Sequence, residues 1–425
     1  MRLVPWLPVV QRVRAFGVFG LTLILLLSSR AASTMAPAPE AAASETRGLW
    51  VVRTSLSSPD RIAAMVRAAE RGGFNTILVQ VRGRGDAYYR SAIEPRSADL
   101  DGQPAAFDPL ALTLDLAHRA GIRVHAWVAV NLVASSVTIP QSANHVVNRH
   151  PEWLMVPAPL AKSLHGVRPT SPAYKDALAR WTRGEADQVE GLYLSPVSVE
   201  AREYTLGVVK DLVSKNAIDG IHFDYVRYPG PAFDYSAGSL AAFRAKQSPT
   251  TAAAERQRLD RLARTDPAAW PTALPQAWES FRRDQLTTLV HALAGMVRSV
   301  RPRIAISAAV VPRSEEARTR RLQDWPRWAA AGDLDAVCPM AYVTDEHEFG
   351  GLVTRARAAA GRVPIWAGIG AFRIPVADAV RQIRAAREAG AGGVVIFSYD
   401  SVTGSTALSA GYLEELRPAL VGRTP

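Results

Sequence analysis

Cysteine is almost absent from this chain. Cys338 stands alone among 425 residues, so no intramolecular disulfide can form. If such a chain is exported, a large apolar core has to hold it together in place of cross-links. Cys338 lies in an apolar stretch, 336–340, and reads as inert core, since no paired histidine supports a nucleophile there. Long hydrophobic runs are also scarce. The one continuous example, 15–27, is shorter than a comfortable membrane span. No glycine-rich loop follows the first strand-like segment, which argues against a nucleotide site. His150 and Glu152 do not have the spacing of a zinc helix, and no other ligand cluster is visible, so neither a metal nor a cofactor is expected. Acidic residues are fewer than basic ones, 39 against 50, for a net charge of +11. No basic stripe interleaved with aromatics accompanies that excess, so nucleic acid is not the expected partner. A positive surface does favour anionic polymers, although arginine spread along helices (Arg67, Arg71, Arg318, Arg355) can equally reflect a GC-rich genome.

The apolar run has a context. Arg2, Arg12 and Arg14 precede it, and small residues around Ser29, Ala31 and Ala32 follow. That is the layout of a secretory signal, expected over 1–33, with an uncleaved anchor as the alternative because Arg30 follows the run. No cysteine lies near the cleavage region, which excludes a lipidated N-terminus there. Residues 34–45 are rich in Ala, Pro and Ser and read as an unstructured spacer, leaving 46–418 as the folded domain. The expected destination is the periplasm or extracellular envelope. Any membrane contact would run only through an uncleaved N-terminal segment.

The folded part alternates short apolar runs with amphipathic helical patterns. Strands are expected at 48–52, 76–81, 124–128, 220–223, 304–310, 336–340, 365–369 and 393–397. Ser58-Pro59-Asp60 opens a helix that Gly72-Gly73 closes. Asp108-Pro109 opens another that ends at Gly121, and a third, 376–389, ends at Gly390. Eight strands in this rhythm predict an α/β fold, a (β/α)8 TIM barrel, with a doubly wound open sheet as runner-up. Two connections, 131–193 and 230–277, exceed ordinary loop length and are expected as βα insertions walling a groove on the catalytic face.

In such a barrel, function gathers at the C-terminal strand ends. The most informative segment is 219–229, where the apolar run from Ile218 to Phe223 breaks into Asp224, Tyr225, Arg227 and Tyr228. Other strand ends lead to Gln80, Arg82, Asp86, Tyr88, Trp127, Asn131, Tyr342, Asp345, Glu346, Trp366 and Asp400. Aromatic faces stack on sugars and carboxylates do acid/base work, so the mixture suits a carbohydrate, with a polysaccharide as the expected partner. Hydrolysis of a glycosidic bond needs two carboxyl groups flanking it. Asp224 is the first candidate, as nucleophile or base, against the plainer reading of a turn cap. Glu346, Asp345 and Asp400 are candidates for the proton donor, each with an ordinary solvated loop as the alternative. Substrate contacts are expected from Asp86, Tyr88, Asn131, His222, Tyr225, Arg227, Tyr228, Tyr342 and Trp366. Asp219, at the opposite end of its strand, reads as structural.

Several segments together resemble a known family. "RGLWVVR" (47–53), "FNTILVQVRGRGDAYYRSAIEP" (74–95), "HPEWLM" (150–155), "LSPVSVEAREY" (194–204), "DGIHFDYVRYP" (219–229) and "CPMAY" (338–342) resemble the glycosyl hydrolase-like family 10. The resemblance implies a secreted or envelope (β/α)8 protein, and some members act on peptidoglycan strands stripped of their peptides. It implies a catalytic face around Asp224, with Asp86 and Tyr228 in matching segments. One departure matters: many members carry two consecutive aspartates where this chain has Asp224-Tyr225. The same strand is also similar to the α-amylase nucleophile strand. There His222 replaces that superfamily's arginine, and no glutamate closes the strand at 304–310.

Overall fold

The structure is a computed structural model that describes residues 45–135, 137–404 and 408–422. The expected leader over 1–33, and all but the last residue of the 34–45 spacer, lie outside the described residues. Eight strands run parallel in one sheet: β1 Thr46–Val51, β2 Thr76–Arg82, β3 Arg123–Ala129, β6 Gly220–Asp224, β7 Ala305–Val310, β8 Ala336–Pro339, β9 Trp366–Gly370 and β10 Gly393–Phe397. They are ordered β8-β7-β6-β3-β2-β1-β10-β9. Parallel bridges Val337–Ile365 and Met340–Gly368 join the two ends, so the sheet closes into a barrel with helices between successive strands. The predicted (β/α)8 architecture is the observed one, and each expected strand agrees within about two residues.

The helix signals act as read. Ser58 accepts from the backbone N–H of Arg61 and Asp108 from that of Ala111, capping helices Pro59–Arg71 and Pro109–Arg119. Gly73, Gly121 and Gly390 follow the helices with positive φ, the conformation glycine adopts without a steric penalty. Outward-facing strand residues such as Val79, Val124 and Ile221 pack beneath the helices in the main core. The inward face obeys the two-residue period of a strand, so Gly220, His222 and Asp224 share it. A side chain at position 220 would meet the His125 ring at 2.3 Å, so glycine there lets the imidazole occupy the barrel floor.

The two long connections are ordered insertions. The first contains the antiparallel pair β4 Leu132–Ser135 and β5 Gly191–Tyr193 and has its own apolar cluster, including Val147, Leu154, Leu178 and Leu192. The second packs Phe243, Leu259, Trp270 and Trp278 around short helices that lead into the helix Pro275–Val300. Both follow the C-terminal ends of strands (β3 and β6) and so rise from the face where barrels carry their sites. Among the described residues no helix is long and apolar enough to cross a membrane.

Candidate active site at the barrel mouth

Inside the barrel, polar groups stack in layers below the mouth. His222 is wholly buried; its Nε2 accepts from the Trp50 indole at 3.2 Å, so its proton sits on Nδ1 and is shared with Ser307 Oγ at 2.9 Å. Burial pushes His222 down to about 3, and the neighbouring His125 adds to the shift. His125 is likewise pushed down to about 4 by burial, with Arg123 adding to it. Both imidazoles are therefore neutral, and His222 fixes the orientation of Trp50.

Above that layer opens a cavity of about 340 Å³, lined by Trp50, Arg53, Gln80, Arg84, Trp127, Asp224, Tyr225, Arg227, Met340, Tyr342 and Phe397. One wall is aromatic. Phe397 lies 5.7 Å from Trp50 and 5.3 Å from Tyr342, edge-on or tilted, as ring quadrupoles favour. Phe372 continues the wall 5.9 Å from Tyr342 and is 43% exposed, an open platform at the rim.

Asp224 ends β6 and faces this cavity. One carboxylate oxygen accepts the Trp127 indole N–H at 3.1 Å and the other accepts the backbone N–H of Tyr225 at 2.6 Å. Burial raises Asp224 above the ordinary carboxylate range; the Arg227 charge and these hydrogen bonds oppose the rise, and Glu190 adds to it. Tyr225 has φ of 49°, a left-handed conformation that a side chain of this size rarely adopts. Strain of this kind concentrates at functional sites.

Glu190, half-buried just before β5, is the carboxylate that the sequence reading missed. It accepts Arg227 at 2.9 Å and the Tyr193 hydroxyl at 2.6 Å. Burial alone would raise it, but the Arg227 charge and the Tyr193 hydroxyl hold it below its ordinary value. Two carboxyl groups around one arginine are thus pushed in opposite directions, the usual arrangement behind acid/base division of labour.

The structure brings together only part of the expected set. Asp224, Tyr225, Arg227 and Tyr342 line the mouth. The three expected proton donors do not. Asp345 caps the helix Glu346–Ala360 by accepting the Glu348 N–H at 2.7 Å, and Glu346 pairs with Arg381 at 3.2 Å. Asp400 accepts from Val52 N, Thr54 Oγ1 and Ser55 Oγ, fastening the chain that leaves β1. Asp86 is a turn residue whose carboxylate accepts the Arg84 N–H, and Tyr88 is buried against Asp99. Asn131 is buried and donates to the Leu194 carbonyl at 3.1 Å, tying the first insertion to the end of β3. Tyr228 is buried with its hydroxyl on the Arg282 carbonyl. His222 lies one layer below the mouth. Trp366 begins β9, at the end of the strand opposite the mouth, and packs on His125 at the floor. Asp219 is structural, accepting His118 and the Val124 N–H. Trp50, Arg53, Arg84, Phe372, Phe397 and Glu190 were missed. Arg84 stood within the "GRGD" segment, where the glycines marked a turn and hid the arginine between them.

A larger cavity, about 900 Å³, lies between the insertions and is lined by Trp153, Leu164, Tyr174, Ser195, Val197 and Leu240 among others. Its two carboxylates are exposed at the rim, Glu152 beside His150 and Glu200 beside Ser198, so it lacks the buried acid of the mouth. Among the described residues no group of three or more His, Cys, Asp or Glu side chains could hold a metal ion.

A closed parallel barrel with a buried aspartate and an aromatic wall at its C-terminal mouth is the architecture of TIM-barrel glycoside hydrolases. The family described as glycosyl hydrolase-like 10 matches residues 45–380, and the chain belongs to it. The glycosyl hydrolase YngK of Bacillus subtilis (strain 168) is 22% identical over 316 residues, covering 69% of this chain and 51% of that protein. The glycosyl hydrolase DigH of Escherichia coli (strain K12) is 26% identical over 214 residues, covering 43% of each. The chain thus spans about half the length of the curated relatives it matches. Among solved structures, the PgaB (BpsB) glycoside hydrolase domain from Bordetella bronchiseptica superposes with a TM-score of 0.62 at 17% identity, covering 90% of this chain and all of that domain. The GH42 β-galactosidase Gan42B from G. stearothermophilus gives a TM-score of 0.56 at 16% identity, covering 88% of this chain and 56% of that one. At these identities the two structures show the fold.

Proposed function

We propose that the protein is an exported glycoside hydrolase that cleaves a bacterial cell-wall-type glycan, with peptidoglycan strands lacking peptides as the leading substrate. The observation that carries the catalytic reading is the buried Asp224 at the mouth, raised in pKa, beside Glu190, lowered in pKa. Asp224 is then placed to supply the proton that the leaving oxygen needs, and Glu190, outside the lining of the mouth, positions Arg227 through their ion pair. This differs from the role first expected for Asp224, because burial and not loop position sets its affinity for protons. Trp50, Tyr342, Phe397 and Phe372 offer stacking faces for the sugars. Export rests on the arginine-flanked apolar run 15–27 and the small residues after it. Family membership and the names of YngK and DigH support a glycosidase.

The test is incubation of purified protein with peptide-free glycan strands at acidic to mildly alkaline pH, counting new reducing ends. Turnover lost in both Asp224→Asn and Glu190→Gln supports the reading, and no new reducing ends at any pH refutes it. A second reading, a non-catalytic glycan-binding envelope protein, draws on one fact. Among the described residues Asp224 is the only carboxylate that lines the mouth. Saturable glycan binding without turnover, unchanged in Asp224→Asn, would select that reading.

A further inference from the structure

Asp224 has no second carboxylate beside it. Among the described residues no other acidic side chain lines the mouth. Glu190 lies outside the lining with both oxygens engaged, one by Arg227 at 2.9 Å and the other by the Tyr193 hydroxyl at 2.6 Å. Breaking a glycosidic bond takes a proton for the leaving oxygen and a nucleophile or activated water at the anomeric carbon. Asp224 can fill one of these roles, and the other lining groups do not supply the second. The Gln80 oxygen accepts from Arg53 at 3.1 Å. Burial raises both Tyr225 and Tyr342, so the phenols stay protonated, and the arginines carry no basic lone pair. The missing group has to arrive with the substrate.

Tyr342 supplies an independent observation. Its ring is fixed on three sides, by Trp50 at 6.4 Å, Phe372 at 5.9 Å and Phe397 at 5.3 Å, and its backbone carbonyl accepts Arg373 at 2.8 Å. Its hydroxyl, in contrast, lines the mouth without a hydrogen-bond partner among the described residues. A rigidly held O–H in such a place is a donor prepared for an oxygen on a ligand. The cavity of about 340 Å³ is small and mostly aromatic, with Trp50, Trp127 and Phe397 in its wall. It suits one pyranose ring carrying a short substituent with an apolar tip.

We propose that the nucleophile is the carbonyl oxygen of a 2-acetamido group on the substrate, with Asp224 as the acid and Tyr342 holding that carbonyl in line. The inference deepens the glycosidase reading and rests on it for the placement of a sugar in the mouth. In the first step the Asp224 proton passes to the glycosidic oxygen, and the bond from that oxygen to the anomeric carbon breaks. The acetamide oxygen bonds to the same carbon and closes a five-membered oxazolinium ring, whose charge the Asp224 carboxylate now balances. In the second step water adds to the anomeric carbon, its proton returns to Asp224, and the bond to the acetamide oxygen breaks. The acetamide is restored, and two displacements retain the anomeric configuration. A nucleophile tethered to the neighbouring ring carbon needs no base to activate it and loses little entropy on attack. One carboxyl group is then enough, and the ring that is cleaved must be N-acetylated.

The first arm of the test needs no turnover. Calorimetry on the full-length protein compares a 2-acetamido disaccharide with its thiazoline, in which sulfur joins the acetamide carbon to the anomeric carbon and reproduces the fused ring. The thiazoline is expected to bind about a hundred-fold or more tightly, and equal or weaker affinity would overturn the proposal. The second arm measures reducing ends released from peptide-free strands whose amines carry acetyl or trifluoroacetyl groups, the fluorines drawing electron density from the carbonyl oxygen. Here kcat is expected to fall about a hundred-fold or more on trifluoroacetylation, and NMR of the first-formed product should show retention. An unchanged kcat, or an inverted product, would overturn the proposal. Tyr342→Phe keeps the ring in the wall and is expected to lower kcat about a hundred-fold while KM stays within about three-fold; an unchanged kcat would overturn the role of its hydroxyl. Absence of hydrolysis would sink the glycosidase reading while the thiazoline affinity still decides this one, so the two failures are distinguishable.

Discussion

Arg82 and Glu94 form an ion pair with both side chains fully buried, and replacing Glu94 by glutamine is the sharpest stability test the fold offers. Glu94 takes three contacts from Arg82 at 2.7 to 3.0 Å and the Tyr204 hydroxyl at 3.0 Å. Arg82 also donates to the carbonyls of Ala129 and Val130 at the end of β3. The pair thus clamps the chain after β2, the segment that carries Arg84, to the rim of the barrel. Glutamine keeps the shape and removes the counter-charge, leaving a guanidinium buried without its anion. Breaking a buried pair from one side costs about 3–5 kcal/mol. The carbonyl acceptors and the glutamine oxygen remain, so the expected loss is near the lower end, about 3 kcal/mol. At roughly 2 °C per kcal/mol for a large domain, the midpoint in scanning calorimetry should fall by about 6 °C. Arg82→Met with Glu94→Leu removes both charges and should recover more than half of that loss, because no lone charge remains to be desolvated. A Glu94→Gln loss below about 1 kcal/mol, or a double variant less stable than the single, would refute the reasoning.

Two further outcomes follow from the polar groups inside the barrel. Trp127→Phe removes a hydrogen bond that favours ionised Asp224, so the alkaline limb of the pH–rate profile should move upward by about one pH unit; an unmoved or lowered limb would contradict the role of Asp224 as acid. His125 and His222 are held at about 4 and about 3 in the fold, below the ordinary 6.5, so the unfolded chain binds more protons across that interval. Stability should therefore decline as pH falls from 6.5 toward 3, by roughly 1 kcal/mol per pH unit for each imidazole. Urea titrations of His222→Gln should show a shallower decline than the parent, and an identical slope would refute the assignment.

Most of the fold is legible in the sequence for local reasons. The helix–glycine–apolar triplets closed by Gly73, Gly121 and Gly390 each specify a helix, its stop and the next strand, and eight apolar runs in that rhythm predict the barrel. The site is less legible because a strand end can terminate in a catalytic residue or in a cap with the same letters. Asp345 followed three residues later by Glu348 has the spacing of a helix start, and that signal would have removed it from the candidate acids. Asp400 gives no comparable clue, since its role depends on Val52, Thr54 and Ser55, more than three hundred residues away. Glu190 lies in the first insertion, after no predicted barrel strand, and only its placement beside Arg227 makes it visible. Trp366 stands at the start of its strand, whether that is 365–369 as expected or 366–370 as observed, and this alone places its ring at the floor and not at the rim.

Reducing-end release from peptide-free glycan strands by the parent protein and by Asp224→Asn, with substrate affinity measured in parallel, tests the central claim most directly. Removing a general acid should lower kcat by about a hundred- to ten-thousand-fold while affinity changes only a few-fold. An Asp224→Asn protein that hydrolyses the strands at the parent's rate would contradict the account.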